Sequence, residues 1–296
     1  MAQIHQPINR RRFLKASLAA TAGLAALPTL AHAFDAATTP YGSFTVGTQS
    51  YSFRNFDTEG ALKRTHDLGL KNIEFFQKHL PLKSTPEEIK AAQKLCDQYE
   101  IKPVSYGVQS FSNNHDKNKK VFDFARTLGI KYLSADPTED SFDSLDKLVD
   151  EYQIAIAIHP HGPTGIGNMM HHWYCADVIL AAVKDHNALI GTCLDTGHLI
   201  RAAQLGKKLD PAEEIRKMGP RNFGIHLKDH DNENHTDVVI GKGALNVPEV
   251  VKALKDVKFK GWISLEYEAN PDDPVPDMKA CLEVLEDAIR KNGCPA

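Results

Sequence analysis

Short apolar runs alternate with longer stretches of helical periodicity along most of this chain. The runs fall at 44–47, 71–76, 102–106, 132–135, 154–158, 189–195, 223–227 and 262–267. They are not strictly alternating, the pattern of parallel strands covered on both faces. The stretches between them predict helices near 58–68, from 84, at 117–128, 141–151 and 176–184, from 210, and at 246–255 and 277–291. Their ends carry the expected punctuation. Ser84-Thr85-Pro86-Glu87-Glu88 supplies a cap, a first-turn proline and acids suited to the helix dipole, and Asp210-Pro211 repeats the cap and proline. Gly129 and Gly293 stop two of the helices. Eight run-and-helix pairs in roughly 260 residues predict an α/β fold, the (β/α)₈ TIM barrel. A doubly wound open sheet is the rival, because pattern alone does not show closure; count and length together favour the barrel.

The N-terminus departs from this pattern. Asn9-Arg10-Arg11-Arg12-Phe13-Leu14-Lys15 is basic, an Ala/Leu/Gly stretch follows over 16–30, and Ala31-His32-Ala33 has small residues at cleavage spacing. Residues 1–33 therefore resemble a twin-arginine signal peptide, which implies a bacterial protein, periplasmic or otherwise exported by that route, loaded with any cofactor before export. The apolar stretch is too short for a good spanning helix, so no stable membrane insertion is expected after cleavage. No linker or composition shift divides residues 34–296, which are expected to form one domain.

Charge and cysteine content narrow the chemistry. A net charge of -3 gives no electrostatic footprint for nucleic acid. Five scattered cysteines without a CxxC pair argue against a disulfide framework and a thiolate zinc site.

Barrel enzymes work at the C-terminal ends of the strands. His159, Asp195, His226 and Glu266 end four successive predicted strands, five to eight. Two imidazoles and two carboxylates suit a divalent metal such as Mn²⁺, Co²⁺, Zn²⁺ or Fe²⁺, and not an all-oxygen calcium cage. Alternation adds a second polar residue on the same side of two strands: Lys228 beside His226, and Glu268 beside Glu266. Lys228 is placed to meet a substrate oxyanion. His171 and His172 read as a solvated or lid doublet, and His230, Asp231 and His235 as surface. Gly241-Lys242-Gly243 reads as a plain turn rather than a phosphate contact.

Asp195-Thr196-Gly197-His198, Gly224-Ile225-His226-Leu227-Lys228-Asp229, Gly241-Lys242-Gly243 and Ser264-Leu265-Glu266-Tyr267 resemble motifs of the xylose-isomerase-like TIM-barrel superfamily. That superfamily includes sugar phosphate isomerases and epimerases, keto-sugar 3-epimerases, inosose dehydratase and endonuclease IV. The resemblance implies one divalent ion, Mn²⁺ foremost, with Co, Zn, Fe or Mg as alternatives. It implies Asp195, His226 and Glu266 as ligands, His198 on the substrate and Glu74 as an active-site acid that also meets substrate. At strand five the epimerases carry Glu before Pro, whereas this chain has His159-Pro160-His161. The two-carboxylate mechanism is thereby in doubt. His159 is expected to bind metal or act as base, with His161 as the alternative ligand or a substrate contact.

The expected function is isomerisation or epimerisation of a sugar or keto-sugar through a metal-stabilised enediolate. Glu266, His159 and Lys228 are its catalytic groups. A hydro-lyase or hydratase is the alternative, since the His-Pro-His-Gly run also resembles inosose dehydratase. DNA repair like that of endonuclease IV and non-catalytic sugar binding stand behind both. The expected partner is a small sugar, with no nucleic acid; a homo-oligomer is among the options.

Overall fold

The structure, a computed structural model, describes residues 39–163 and 169–293. The signal-peptide segment lies outside them. Eight parallel strands close into a barrel: Thr45–Gln49, Asn72–Phe75, Lys102–Phe111, Tyr132–Pro137, Ala155–Ile158, Ile190–Asp195, Asn222–Leu227 and Trp262–Leu265. They are called strands one to eight below. Each neighbours its predecessor, and strand one pairs with strand eight through Thr45 and Trp262. Closure leaves no open edge, which rules out the open-sheet rival.

The helices between strands bury their apolar stripes against the outside of the barrel. Pro86–Gln98 begins with the expected capping box, Thr85 and Glu88 each accepting the other's backbone N–H. Asp210 likewise caps Pro211–Met218, and Gly129, at φ 81°, ends His115–Leu128. Most of the apolar side chains form one cluster between helices and sheet. Among the described residues no helix is long and apolar enough to cross a membrane.

Three elements differ from the sequence reading. Strand three continues past residue 106 to Phe111, because after a register shift it pairs again with strand four as far as Phe111 and Pro137. A short helix, Thr196–Arg201, follows strand six directly. The predicted loop after strand seven contains a hairpin, Asp229–Asp231 against Thr236–Val238. The Gly241-Lys242-Gly243 turn folds around Asp229, whose Oδ2 accepts from Gly241 N at 2.8 Å and Gly243 N at 2.9 Å. The anion in this glycine turn is thus the protein's own carboxylate.

Alternation stacks the barrel interior in tiers. At the base the Tyr132 and Trp262 rings lie 4.7 Å apart between centroids. Trp262 covers Gly224, where an added Cβ would come within 2.5 Å of the indole, so only glycine fits. Two residues further along the same strands come Ser134, His226 and Ser264, gathered around Glu74. Two further still stand Asp136, Lys228 and Glu266, at the mouth.

Candidate metal centre and substrate cavity

Strand six ends in Asp195, which serves the next helix with one oxygen. Its Oδ1 accepts from His198 N at 2.7 Å and caps Thr196–Arg201. Its Oδ2 turns to the barrel axis, 3.3 Å from His159 Nε2 and 3.8 Å from His226 Nδ1. Glu266 Oε2 lies 3.1 Å from the same His226 nitrogen. The four predicted ligands therefore converge. One donor atom from each of His159, Asp195, His226 and Glu266 lies within 4.8 Å of the other three, and all four residues are buried.

The residues present fit a metal. Donors on a tetrahedral ion with bonds of about 2.1 Å stand about 3.4 Å apart, close to the three separations just given, 3.3, 3.8 and 3.1 Å. His226 Nδ1 and Glu266 Oε2 are buried and make no hydrogen bond. Glu266 Oε2 has the Lys228 ammonium 3.2 Å away, but the buried His226 Nδ1 is left unpaired, which is costly unless a bound ion satisfies it. The donor set, two imidazoles and two carboxylates, is that of Mn²⁺, Co²⁺, Zn²⁺ or Fe²⁺.

Glu74, expected to meet substrate, does not line the cavity. It is fully buried beneath the donors, where its Oε2 accepts from His226 Nε2 at 2.9 Å, Trp262 Nε1 at 2.8 Å and Ser264 Oγ at 3.0 Å. Ser134 Oγ donates to the other oxygen. Burial alone would raise this carboxyl, but the His226 imidazole beside it and these donors hold it below the usual range. The same contact leaves Nδ1 of His226 as the atom aimed at the donor cluster, the arrangement by which a carboxylate orients a metal-bound histidine. Glu74→Gln is expected to weaken divalent-metal affinity about 10–100-fold with little change in fold. Titration of the metal-free protein with Mn²⁺ measures this; unchanged affinity would limit Glu74 to packing.

Lys228 is buried with its ammonium among carboxylates. Nζ lies 3.3 Å from Asp195 Oδ2 and 3.2 Å from Glu266 Oε2, and it donates to Glu268. Burial disfavours its charge, yet Asp195, Glu266 and Glu268 hold its pKa well above the usual lysine value. In return Glu266, which burial alone would raise, is lowered to about 2 by Lys228 and His226. Lys228 is anchored by Thr196, whose Oγ1 donates to the Lys228 carbonyl at 2.6 Å.

Above these groups opens a cavity of about 310 Å³, with His159, His161, His198, Lys228 and Glu266 on one side and Tyr51 and Phe76 on another. His161 and His198 stack with centroids 3.7 Å apart. Burial, and then the neighbouring His159, push His161 down to about 4, and burial pushes His198 well below the usual histidine value. Arg201 Nη1 lies 3.3 Å from His198 Nδ1. An arginine can only donate, so Nδ1 accepts and the His198 proton sits on Nε2.

Among the residues of this cavity that went unrecognised in the sequence are Asp136, Arg201 and Gln49. Asp136 carried a usable signal, the inward alternation 132, 134, 136 of strand four. His171, read as solvated or a lid element, lines the cavity, and His172 is half exposed beside it. His230, read as surface, is buried, with Nδ1 2.8 Å from Asp237 Oδ1, because the unforeseen hairpin closes over it.

Comparison with known proteins agrees with this architecture. An uncharacterized protein of Methanocaldococcus jannaschii is 26% identical over 238 residues, 68% of this chain and 76% of the relative. An inosose dehydratase of Bacillus thuringiensis is 27% identical over 149 residues, so the match spans about half of either protein, 45% of this chain and 46% of the relative. A D-tagatose 3-epimerase-like protein of known structure superposes with a TM-score of 0.65 at 20% identity, covering 84% of this chain and 98% of its own, which shows the shared fold. Residues 7–28 match the twin-arginine translocation signal sequence, which points to export by that route. Residues 62–288 match the xylose isomerase-like TIM barrel family. A closed eight-stranded barrel whose strand ends converge on one acidic and imidazole cluster, together with a match over most of the chain, makes this protein a member of the xylose isomerase-like TIM-barrel family.

Proposed function

We propose that this protein is a divalent-metal-dependent isomerase or epimerase of a sugar or keto-sugar. The observation that carries the reading is the buried His159, Asp195, His226 and Glu266 set, with His226 Nδ1 left unpaired, at the floor of the cavity. Mn²⁺ is the foremost candidate, and when bound the ion supplies Lewis-acid polarisation of a substrate oxygen. The neutral His198 presents Nε2–H to a substrate oxygen, a donor without the desolvation cost of a second cation. Glu266 moves a proton at the carbon beside the carbonyl, and the ammonium of Lys228, in contact with it, steadies negative charge and resupplies protons. Tyr51 and Phe76 give an apolar wall for the C–H face of a sugar. The epimerase-like and inosose dehydratase relatives support a sugar substrate. The twin-arginine match supports a periplasmic site of action and a mature domain of residues 34–296, where unphosphorylated sugars are the better candidates.

The test is incubation of Mn²⁺-loaded protein with a panel of ketohexoses in D₂O. Deuterium at carbon without loss of oxygen is expected, and treatment with a chelator should abolish it until Mn²⁺ is restored. A protein that holds no metal and exchanges no proton would defeat the proposal. A second reading, a hydro-lyase on a keto-sugar, is favoured by His159 standing where the epimerases carry a glutamate, and by the inosose dehydratase likeness. A dehydrated product in the same experiment would select it.

A further inference from the structure

With His159 at the end of strand five, the proton-moving carboxylate opposite Glu266 is missing from its expected place. We propose that Asp136 is that second catalytic carboxylate, supplied from strand four and facing Glu266 across the barrel; this rests on the isomerase or epimerase reading above.

The topology carries the assignment. Around the closed barrel the order from strand eight runs through seven, six and five to four. Strands four and eight are therefore diametrically opposed, with the donors of strands five, six and seven between them. Asp136 and Glu266 also hold equivalent places along those two strands. Each lies two residues beyond a serine, Ser134 or Ser264, and both serines bond the same Glu74. Equal height on opposite walls points the two carboxyl groups at opposite faces of whatever lies in the cavity, which both residues line.

The surroundings of Asp136 suit the role. Its Oδ1 is buried without a hydrogen bond, 3.6 Å from His171 Nε2 and 3.4 Å from His172 Nε2, while 37% of its side-chain surface stays open. His171 Nδ1 accepts from Trp173 N at 3.3 Å, which leaves its proton on Nε2, toward Asp136. The pair of imidazoles thus lies beside one oxygen and leaves the rest of the carboxylate to the cavity. Burial alone would raise its pKa, but His171 and His172 hold it below the usual range, so it waits ionised as a base. Asp136 is not among the four converging donors; it groups instead with His171 and His172 at the edge of the cavity.

In the forward step the C–H bond beside the carbonyl breaks, its proton goes to Asp136, and the electron pair enters the C=C bond of an enediolate. A C–H bond then forms on the other face with a proton from the Lys228 ammonium, which lines the cavity beside Glu266 and is left as the neutral amine until water reprotonates it. Exchange with water resets both groups, and the reverse direction uses the pair in the opposite roles.

The experiment compares wild type with Asp136→Asn, both loaded with Mn²⁺, on a ketohexose panel in D₂O, following deuterium at carbon and formation of the epimer. Asp136→Asn is expected to keep the metal content and melting temperature and to lose epimer formation by about 10²–10⁴-fold, the usual share of a general acid or base. One epimer of the pair, the one whose hydrogen faces Glu266, should still take up deuterium without inverting. Asp136→Glu, which returns a carboxylate, should recover part of the epimer formation and serves as the decisive variant if Asp136→Asn does not fold. Epimer formation by Asp136→Asn within about threefold of wild type would overturn the assignment, well outside the range above. So would joint loss of metal, exchange and epimerisation, the pattern of a purely structural residue. A wild type inert on the whole panel would instead overturn the isomerase or epimerase reading, and this assignment with it.

Discussion

Asp195→Asn is expected to retain the fold and lose the metal. The amide keeps an oxygen for the helix cap, where Oδ1 now accepts from His198 N. Asp195→Ala would forfeit that cap as well, at about 1 kcal/mol, and so confuse stability with binding. What Asn removes is the charge of Oδ2, the atom nearest to His159 and within reach of His226 and Lys228. With Lys228 still present, the donor site then holds one carboxylate, Glu266, against an ammonium 3.2 Å away, a poor field for a dication. Metal affinity should fall by more than about 100-fold, beyond the loss typical of an orienting partner, and turnover with it. Titration calorimetry with Mn²⁺ reads the affinity, and circular dichroism confirms the fold. Asp195→Asn protein that binds Mn²⁺ as tightly as wild type would refute the ligand assignment.

Lys228→Met is expected to do the reverse to the metal-free protein. Met matches the length of the lysine stem but removes the one cation that, among the described residues, contacts Asp195, Glu266 and Glu268 together. Leaving buried carboxylates without their partner is destabilising by about 3–5 kcal/mol. A bound dication restores the missing positive charge. The metal-free variant should therefore melt well below wild type, and the rise on adding Mn²⁺ should be larger than in wild type. Activity should stay about 10²–10⁴-fold down even with metal, because Met has no proton to give. Scanning calorimetry with and without Mn²⁺ separates the effects; equal metal-induced shifts in the two proteins would show that Lys228 does not share the donors' field.

Much of this was readable in the chain because strands and mouths obey short-range rules. The eight apolar runs marked the strands, since a strand covered on both faces must be apolar throughout. The ends of strands five to eight marked the four candidate donors, since side chains at a strand's C-terminal end face the mouth whatever the loops do. Two kinds of feature were not readable. Glu74 looked like its neighbours at other strand ends, but a bond to His226, 152 residues away, places it beneath the donors. His230 sat in a polar stretch, and only the pairing of Asp229–Asp231 with Thr236–Val238 buries it.

By itself the sequence determined the eight strand and helix pairs, the family motifs and the four strand-end residues, because hydrophobic period and strand-end position depend on near neighbours along the chain. Only the tertiary structure decided what each atom faces. It assigned Asp195 one oxygen for the helix and one for the donors, turned Nδ1 of His226 to the axis by giving Nε2 to Glu74, and set Asp136 across from Glu266. Those choices depend on closure, which brings strand one against strand eight and opposes strand four to strand eight, a relation between distant segments that no local pattern encodes.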